Sequence, residues 1–576
     1  MAAPRAGAAT SCPATWRGEH VHWFGGGSSG APVPEGAHLI WSDPPLWVVG
    51  PWPERRVKTV HHNGVQLAVL GPCSVGAAEL ERAMSARDLA GTAGLWAGSY
   101  TVVRHRRGRD EVDVLADPVG GCPLYTVSTA HGTVWGSSSR ALAGLVGQQV
   151  DAEWLGAFLA DKQSPLPGHS SWAGVAPVPA GHLMVLGRDG AASVTPWWAP
   201  ARRSYGVAVP LVAELLADGV QARVEGVSAS SDLAGTDSTT VAVLAAQHGR
   251  VLALTAHPEG VTWGGDMKYA RQLRHPSIEH LHFPLGRAHL PFAPTATPLP
   301  ATDEPAPSSG LWAMLSEQLL SVAAHGATCH LTGDGGDNLF MAPPTHLADL
   351  ARHGRMLRLG HDAMAWAQLR RTSPWPLLRS ALRRDTRGLA RPWLERPAWL
   401  LAPAAGTPLP PDGADSALVA DVRGAAHATH QDVQLAAALG VELNNPYFDG
   451  ALLDAVVSVP APERFTVRRY KPLLVDAIGP LLPEAHRLRA TKGVFAGDFH
   501  RGARESLPLL LALTDGRLAE MGLIDPGPLR AAIHRLALGA ESVWPPILAV
   551  LTAEMWLGAA TTTAPTTWVP VGEVPQ

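Results

Sequence analysis

Beyond about residue 205 the apolar positions fall in long Ala/Leu-rich stretches at helical spacing, separated by single short runs that are apolar throughout. Before about residue 200 they fall in short runs broken by Gly and Pro. The first texture is that of helices alternating with buried parallel strands, the second that of a mainly antiparallel β unit. Strand-like runs stand at 39–41, 67–70, 100–103, 112–115 and 182–186. Later, 226–230 reads as a strand end, 231–237 as a turn and 238–248 as a helix closed by Gly249. The runs 251–256 and 327–331 read as further strands of parallel-sheet type. A boundary near residue 200 follows, giving a β-rich domain over 1–200 and an α/β domain over 201–576. The stretch 345–440 is mostly helical and holds Arg379, Arg383, Arg384, Arg387, Arg391 and Arg396. These are expected on a solvated helix face, with an acidic peptide substrate as the functional alternative.

A chain of 576 residues is too long for one core, and an apolar share of 46% is that of a globular protein. Lys plus Arg against Asp plus Glu gives 46 − 50 = −4, which argues against nucleic acid or a membrane surface as partner. No apolar run is long enough to cross a bilayer, and the start of the chain shows no secretory signal. Cys12, Cys73, Cys122 and Cys329 form no CxxC pair, so neither a disulfide framework nor a cysteine zinc site is expected. Free thiols fit a cytoplasmic protein.

Two turns carry the candidate chemistry. Leu331-Thr332-Gly333-Asp334-Gly335-Gly336-Asp337 places two carboxylates around glycines directly after an apolar run. Glycines allow positive φ and close approach to phosphate, and a carboxylate at a strand end can ligate Mg²⁺. Asp232-Leu233-Ala234-Gly235-Thr236-Asp237-Ser238-Thr239-Thr240 joins a strand to a helix, with free N–H groups, hydroxyls and an acid at the helix start. Neither is a Walker loop, because GxxxxGK[ST] is absent.

These turns, with Gly440-Val441-Glu442-Leu443-Asn444-Asn445-Pro446-Tyr447-Phe448-Asp449, resemble in order the SGGxDS, SGxGxD and GVExRxPFLD motifs of the asparagine synthetase superfamily. Arg469-Tyr470-Lys471-Pro472 and Thr491-Lys492-Gly493-Val494-Phe495 resemble that family's C-terminal lysine segments. Ala116-Asp117-Pro118-Val119-Gly120-Gly121-Cys122-Pro123-Leu124-Tyr125 and Gly174-Val175-Ala176-Pro177-Val178-Pro179-Ala180-Gly181-His182 resemble its glutaminase-domain segments ARDxxGxxPLY and GIxxLPPGH. The resemblance implies an Ntn-type, glutaminase-like α+β domain followed by an α/β ATP-pyrophosphatase (PP-loop) synthetase domain with a parallel sheet. Two departures matter. Ala2 stands where a working glutaminase exposes a cysteine, so an inactive glutaminase-like domain is expected. Leu233 and Ala234 replace the first serine and glycine of the pyrophosphate loop.

Family members without glutaminase activity take the amine from the substrate, and the turns here look like the lasso peptide macrolactam cyclase branch. That likeness implies ATP and Mg²⁺ as cofactors, a precursor peptide as substrate, and a leader peptidase and leader-recognition protein as partners. Asp237 and Asp337 would bind Mg²⁺; Ala234, Gly235, Thr236, Ser238 and Thr239 would cradle pyrophosphate. Leu254, Thr332 and Gly333 would lie near adenosine, and Lys492 would stabilise charge on the adenylate. Asp334 would orient the attacking amine or support its turn, and Glu442 would organise the substrate side or brace a loop. The alternatives are a β-lactam synthetase, an ammonia-dependent asparagine synthetase, or a non-catalytic scaffold that binds the precursor.

Overall fold

The computed structural model describes residues 22–576 except 110, 163–165, 262, 391–395, 403–412, 489–495, 541–543 and 574–576. Two six-stranded antiparallel sheets form the first part. One runs from the edge strand Ala176–Val178 through Trp23–Gly27 to His38–Ser42, the other from Ala192–Pro196 through Thr101–Arg106 to Val57–His62. Phe24, Leu46 and Trp135 of one sheet meet Ala68, Val103 and Met184 of the other in a common apolar layer, as alternating inward side chains dictate. Helices cover both outer faces. Ala77–Ser85 packs on the second sheet, while Pro526–Ala537 and Pro545–Thr562, far along the chain, pack on the first. The C-terminal part therefore returns to the sandwich, and Trp568–Val569 pairs with Val33–Pro34.

The second part is built on five parallel strands: β1 (Ala229–Asp232), β2 (Val251–Pro258), β3 (Ile278–Leu285), β4 (Cys329–Leu331) and β5 (Glu442–Asn444). Their order is β3-β2-β1-β4-β5. The helices that matter for the site are α1 (Tyr205–Val224), α2 (Thr236–Ala245), α3 (Gly336–Phe340), α4 (Met356–Arg370), α5 (Pro374–Leu382), α6 (Ala414–Ala437) and α7 (Pro472–Ile478). The order reverses direction between β1 and β4, and in such sheets the loops leaving the two central strands diverge and open a crevice at their carboxyl ends. Both candidate turns leave from that point, one after β1 and one after β4.

The expected strands are present, with shifted ends: 226–230 becomes β1, which starts at Ala229, and 327–331 becomes β4, which starts at Cys329. Trp23–Gly27, Pro45–Val49 and Leu124–Thr129 are strands that the apolar runs did not announce. Arg379, Arg383 and Arg384, on and just after α5, are exposed, and Arg396 hydrogen-bonds to the Leu400 carbonyl at 3.1 Å. Arg391 lies outside the described residues.

Candidate active site

The turn after β4 is shaped by its glycines. Gly335 has φ +90° and caps α3, and a side chain there would meet the Phe448 ring at 2.7 Å. A Cβ on Gly336 would stand 2.5 Å from Asp237 Cγ, so the missing side chain lets α3 lie directly against the turn after β1. Here the close approach is between the two turns. Thr332 locks the start of the turn: its N–H donates to the Asn444 carbonyl at 3.0 Å and its hydroxyl to Asn445 Oδ1 at 2.6 Å, while it accepts from Asp334 N at 3.1 Å.

The turn after β1 ends at Gly235, the N-cap of α2, where no atom would obstruct a Cβ. The first-turn N–H groups of a helix have no intrahelical partner, and a helix start of this kind favours negative charge. Ser238 Oγ accepts from Ala234 N at 3.0 Å and donates to the Gly235 carbonyl at 3.3 Å, so it braces the turn. Thr239 is fully buried and its hydroxyl donates to the Gly235 carbonyl at 2.7 Å. The expectation that Thr239 touches pyrophosphate is corrected on this point: what it offers is packing and a helix-start hydrogen bond. Leu254 is buried and its carbonyl accepts from Leu233 N at 2.7 Å, so that carbonyl holds the β1 turn.

Asp237 and Asp337 come together. Lys471, just before α7, sends a fully buried side chain between them, with Nζ 2.7 Å from Asp337 Oδ1 and in contact with Asp237 Oδ2. Its backbone has φ +42°, a left-handed conformation uncommon for a residue with a long side chain. Tyr470 OH lies 3.3 Å from Asp337 Oδ1, and Tyr447 OH donates to the Asp237 carbonyl at 3.1 Å. Burial, then the Asp237 carboxylate, pushes the Tyr447 hydroxyl well above its ordinary pKa, so it remains a donor. Sequence reading placed Lys471 in a family-like segment without giving it a role.

Two carboxylates that already share one cation fit the hard-oxygen preference of Mg²⁺, which takes one or two protein carboxylates and completes its shell with phosphate and water. Among the described residues no group of three or more His, Cys, Asp or Glu could hold a metal. Asp334 is exposed on the same turn. Lys492 lies outside the described residues.

Glu442 is not brought to the acid pair. It opens β5, at the end of the sheet opposite the crevice, and its carboxylate accepts from Arg56 Nε at 2.7 Å and Arg55 Nη2 at 2.9 Å, both from the sandwich. Burial would raise its pKa, but the Arg56 guanidinium and then Arg55 more than offset this, leaving it below the usual range. Asp449 likewise pairs with Arg223 Nη1 at 3.0 Å and accepts from Ser99 Oγ at 3.0 Å. Both acids of the third motif thus tie the parallel sheet to the sandwich.

The profile of the asparagine synthase family matches residues 211–558, more than half of the chain, and the chain belongs to that family. It is a family of ATP-dependent ligases that form amide bonds and typically use Mg²⁺. No curated protein matches. Among solved structures the chain is similar to the glutamine phosphoribosylpyrophosphate (PRPP) amidotransferase from B. subtilis complexed with ADP and GMP, at 10% identity and a TM-score of 0.21, over 54% of this chain and 81% of that one.

Proposed function

We propose that the chain is an AMP-forming lasso peptide cyclase: it adenylates an Asp or Glu side chain of a leader-cleaved precursor peptide and closes a macrolactam with the peptide's N-terminal amine. A carboxylate oxygen attacks the α-phosphorus of ATP, the bond to the bridging oxygen breaks and pyrophosphate leaves. The amine nitrogen then attacks the acyl carbon, the C–O bond to AMP breaks and the ammonium proton is lost. Asp237 and Asp337 would hold Mg²⁺, which offsets phosphate charge when bound. Ala234, Gly235, Thr236 and Ser238 would frame pyrophosphate, and Thr332 and Gly333 would flank adenosine. Asp334 would orient the amine, whose ordinary pKa of about 7.7–8.0 needs little adjustment. Lys492 would stabilise the adenylate. A cytoplasmic setting, with a leader peptidase and a leader-recognition protein as partners, completes the proposal.

The observation that carries it is an assembled acid pair in a chain whose described cysteines are unsuited to release ammonia from glutamine. Burial pushes the thiols of Cys73, Cys122 and Cys329 up to about 12, far from the thiolate a glutaminase needs. The head of the first sandwich strand carries His22 and Trp23. An amine within the substrate removes the need for ammonia.

Incubating a leader-free candidate peptide with ATP and Mg²⁺ should yield a product lighter by one water in mass spectrometry. Asp337→Ala should slow it about 100-fold or more, as loss of preorganised charge stabilisation does. Pyrophosphate exchange into ATP driven only by aspartate or a small β-amino acid would favour the other two ligase readings. Absence of exchange with any carboxylate would favour the scaffold.

A further inference from the structure

Between the sandwich and β5 lies a cavity of about 690 Å³, whose lining includes neither acid of the crevice pair. Its volume is that of a small-molecule or short-peptide site. The wall is mainly apolar. From the sandwich, Phe24 and Trp52 meet edge to face at 5.7 Å, with His22 6.2 Å from Trp52. From the other side come Val433 and Ala437 of α6, Leu443 of β5, and Phe448.

The polar part of the wall is positive. Arg55, Arg56 and Arg223 line it, against Glu442. Arg223 is matched behind the wall by Asp449, but the single charge of Glu442 serves both Arg55 and Arg56. His430 also lines the cavity; burial, only partly offset by Asp303, lowers it to about 4, so at neutral pH it adds no charge. One guanidinium charge is left over. Arg56 is spent on Glu442 and on the carbonyls of Ala222 and Arg223, whereas Arg55 gives one nitrogen to Glu442 and is 30% exposed. Arg55 is the group free to receive an anion.

We propose that this cavity binds an apolar residue bearing a free α-carboxylate, its side chain against Trp52 and Phe24 and its carboxylate on Arg55. The volume exceeds one amino acid, and the source we assign is the C-terminal end of a peptide. Position supports this: Asn445 and Phe448 line the cavity, and the same two residues hold Thr332 and Gly335 of the acid-bearing turn. A peptide could be gripped here while another of its residues reacts across that wall. The peptide assignment rests on the cyclase reading; the carboxylate and apolar chemistry do not.

Calorimetric titration of the full chain without ATP tests it, using N-acetyl-Leu-Phe, its C-terminal amide, and free phenylalanine. The dipeptide acid should bind, and the amide about tenfold or more weakly, the value of a charge-assisted hydrogen bond. Arg55→Met should reduce the acid to the level of the amide, and Ala437→Trp, which fills the space, should abolish binding of both. Thermal unfolding and ATP titration of each variant establish that it is folded, and Trp52→Leu replaces either one that is not, with weaker binding of acid and amide alike. Equal binding of acid and amide, or binding undisturbed by Ala437→Trp, would overturn the site. Tighter binding of free phenylalanine than of the dipeptide would overturn the peptide source. A failure of ring closure leaves all these measurements standing, so the two proposals fail separately.

Discussion

Lys471 decides how the two acids of the crevice sit. Its fully buried ammonium lies between Asp237 and Asp337, and a cation in that place holds together two carboxylates that would repel at such range. Removing it should destabilise the fold and at the same time leave a stronger place for a divalent cation. Lys471→Met is therefore expected to unfold at lower temperature than the parent and to recover more of that loss on adding Mg²⁺ without nucleotide. An equal response of the two proteins to Mg²⁺ would mean that the pair does not recruit the metal. Gly336 acts through what it lacks: in Gly336→Ala the new methyl falls on the Asp237 carboxylate. Overpacking of this kind costs about 1–3 kcal/mol, and here it should also weaken ATP binding, measurable by calorimetry.

At the scale of elements, the parallel strands were legible because a strand buried on both faces reads as a continuous apolar run, as at β2. The sandwich strands Trp23–Gly27 and Pro45–Val49 were not, since glycines and a proline fill them and their burial comes from a facing sheet that no local pattern announces. The turns were legible as chemistry but only partly as geometry. Asp237 and Asp337 stand a hundred residues apart in sequence, and strand order brings them together. Glu442 belongs to the third of the ordered motifs, and a short strand separates its carboxylate from the crevice. Hydroxyls at a helix start read alike whether they face a ligand or the helix. Thr239 faces the helix, so Thr239→Val should lower the melting temperature while changing ATP affinity less than about twofold, within the range of non-contacting substitutions. A large loss of affinity without a change in stability would return Thr239 to the phosphate.

In the molecule as a whole, the sandwich and the parallel sheet are joined through charge as well as apolar contact, and the join has a definite pH dependence. Glu442 is held by Arg55 and Arg56, and its carboxyl titrates below its ordinary range in the folded chain. In the unfolded chain it titrates near its ordinary value of about 4.3. Between the folded and unfolded values the unfolded chain binds more protons, so stability rises with pH there. The contribution is fully present above about pH 4.3 and is lost as pH falls through the lower folded value. Glu442→Gln leaves Arg56, 3% exposed, without its anion, and loss of one partner of such a pair is strongly destabilising, by about 3 kcal/mol where both are buried and less here, where Glu442 is a quarter exposed. Urea unfolding at pH 7 should therefore find the variant less stable. The gap should narrow steadily once pH drops below about 4, because the parent carboxyl then takes up the proton that makes it resemble the amide. A gap that stayed constant through that range would show that packing of the β5 edge, and not the carboxylate charge, fastens the two parts. The same substitution should leave ATP affinity, measured by calorimetry without peptide, nearly unchanged at pH 7, since the Glu442 carboxylate and the Asp237–Asp337 pair stand at opposite ends of the sheet.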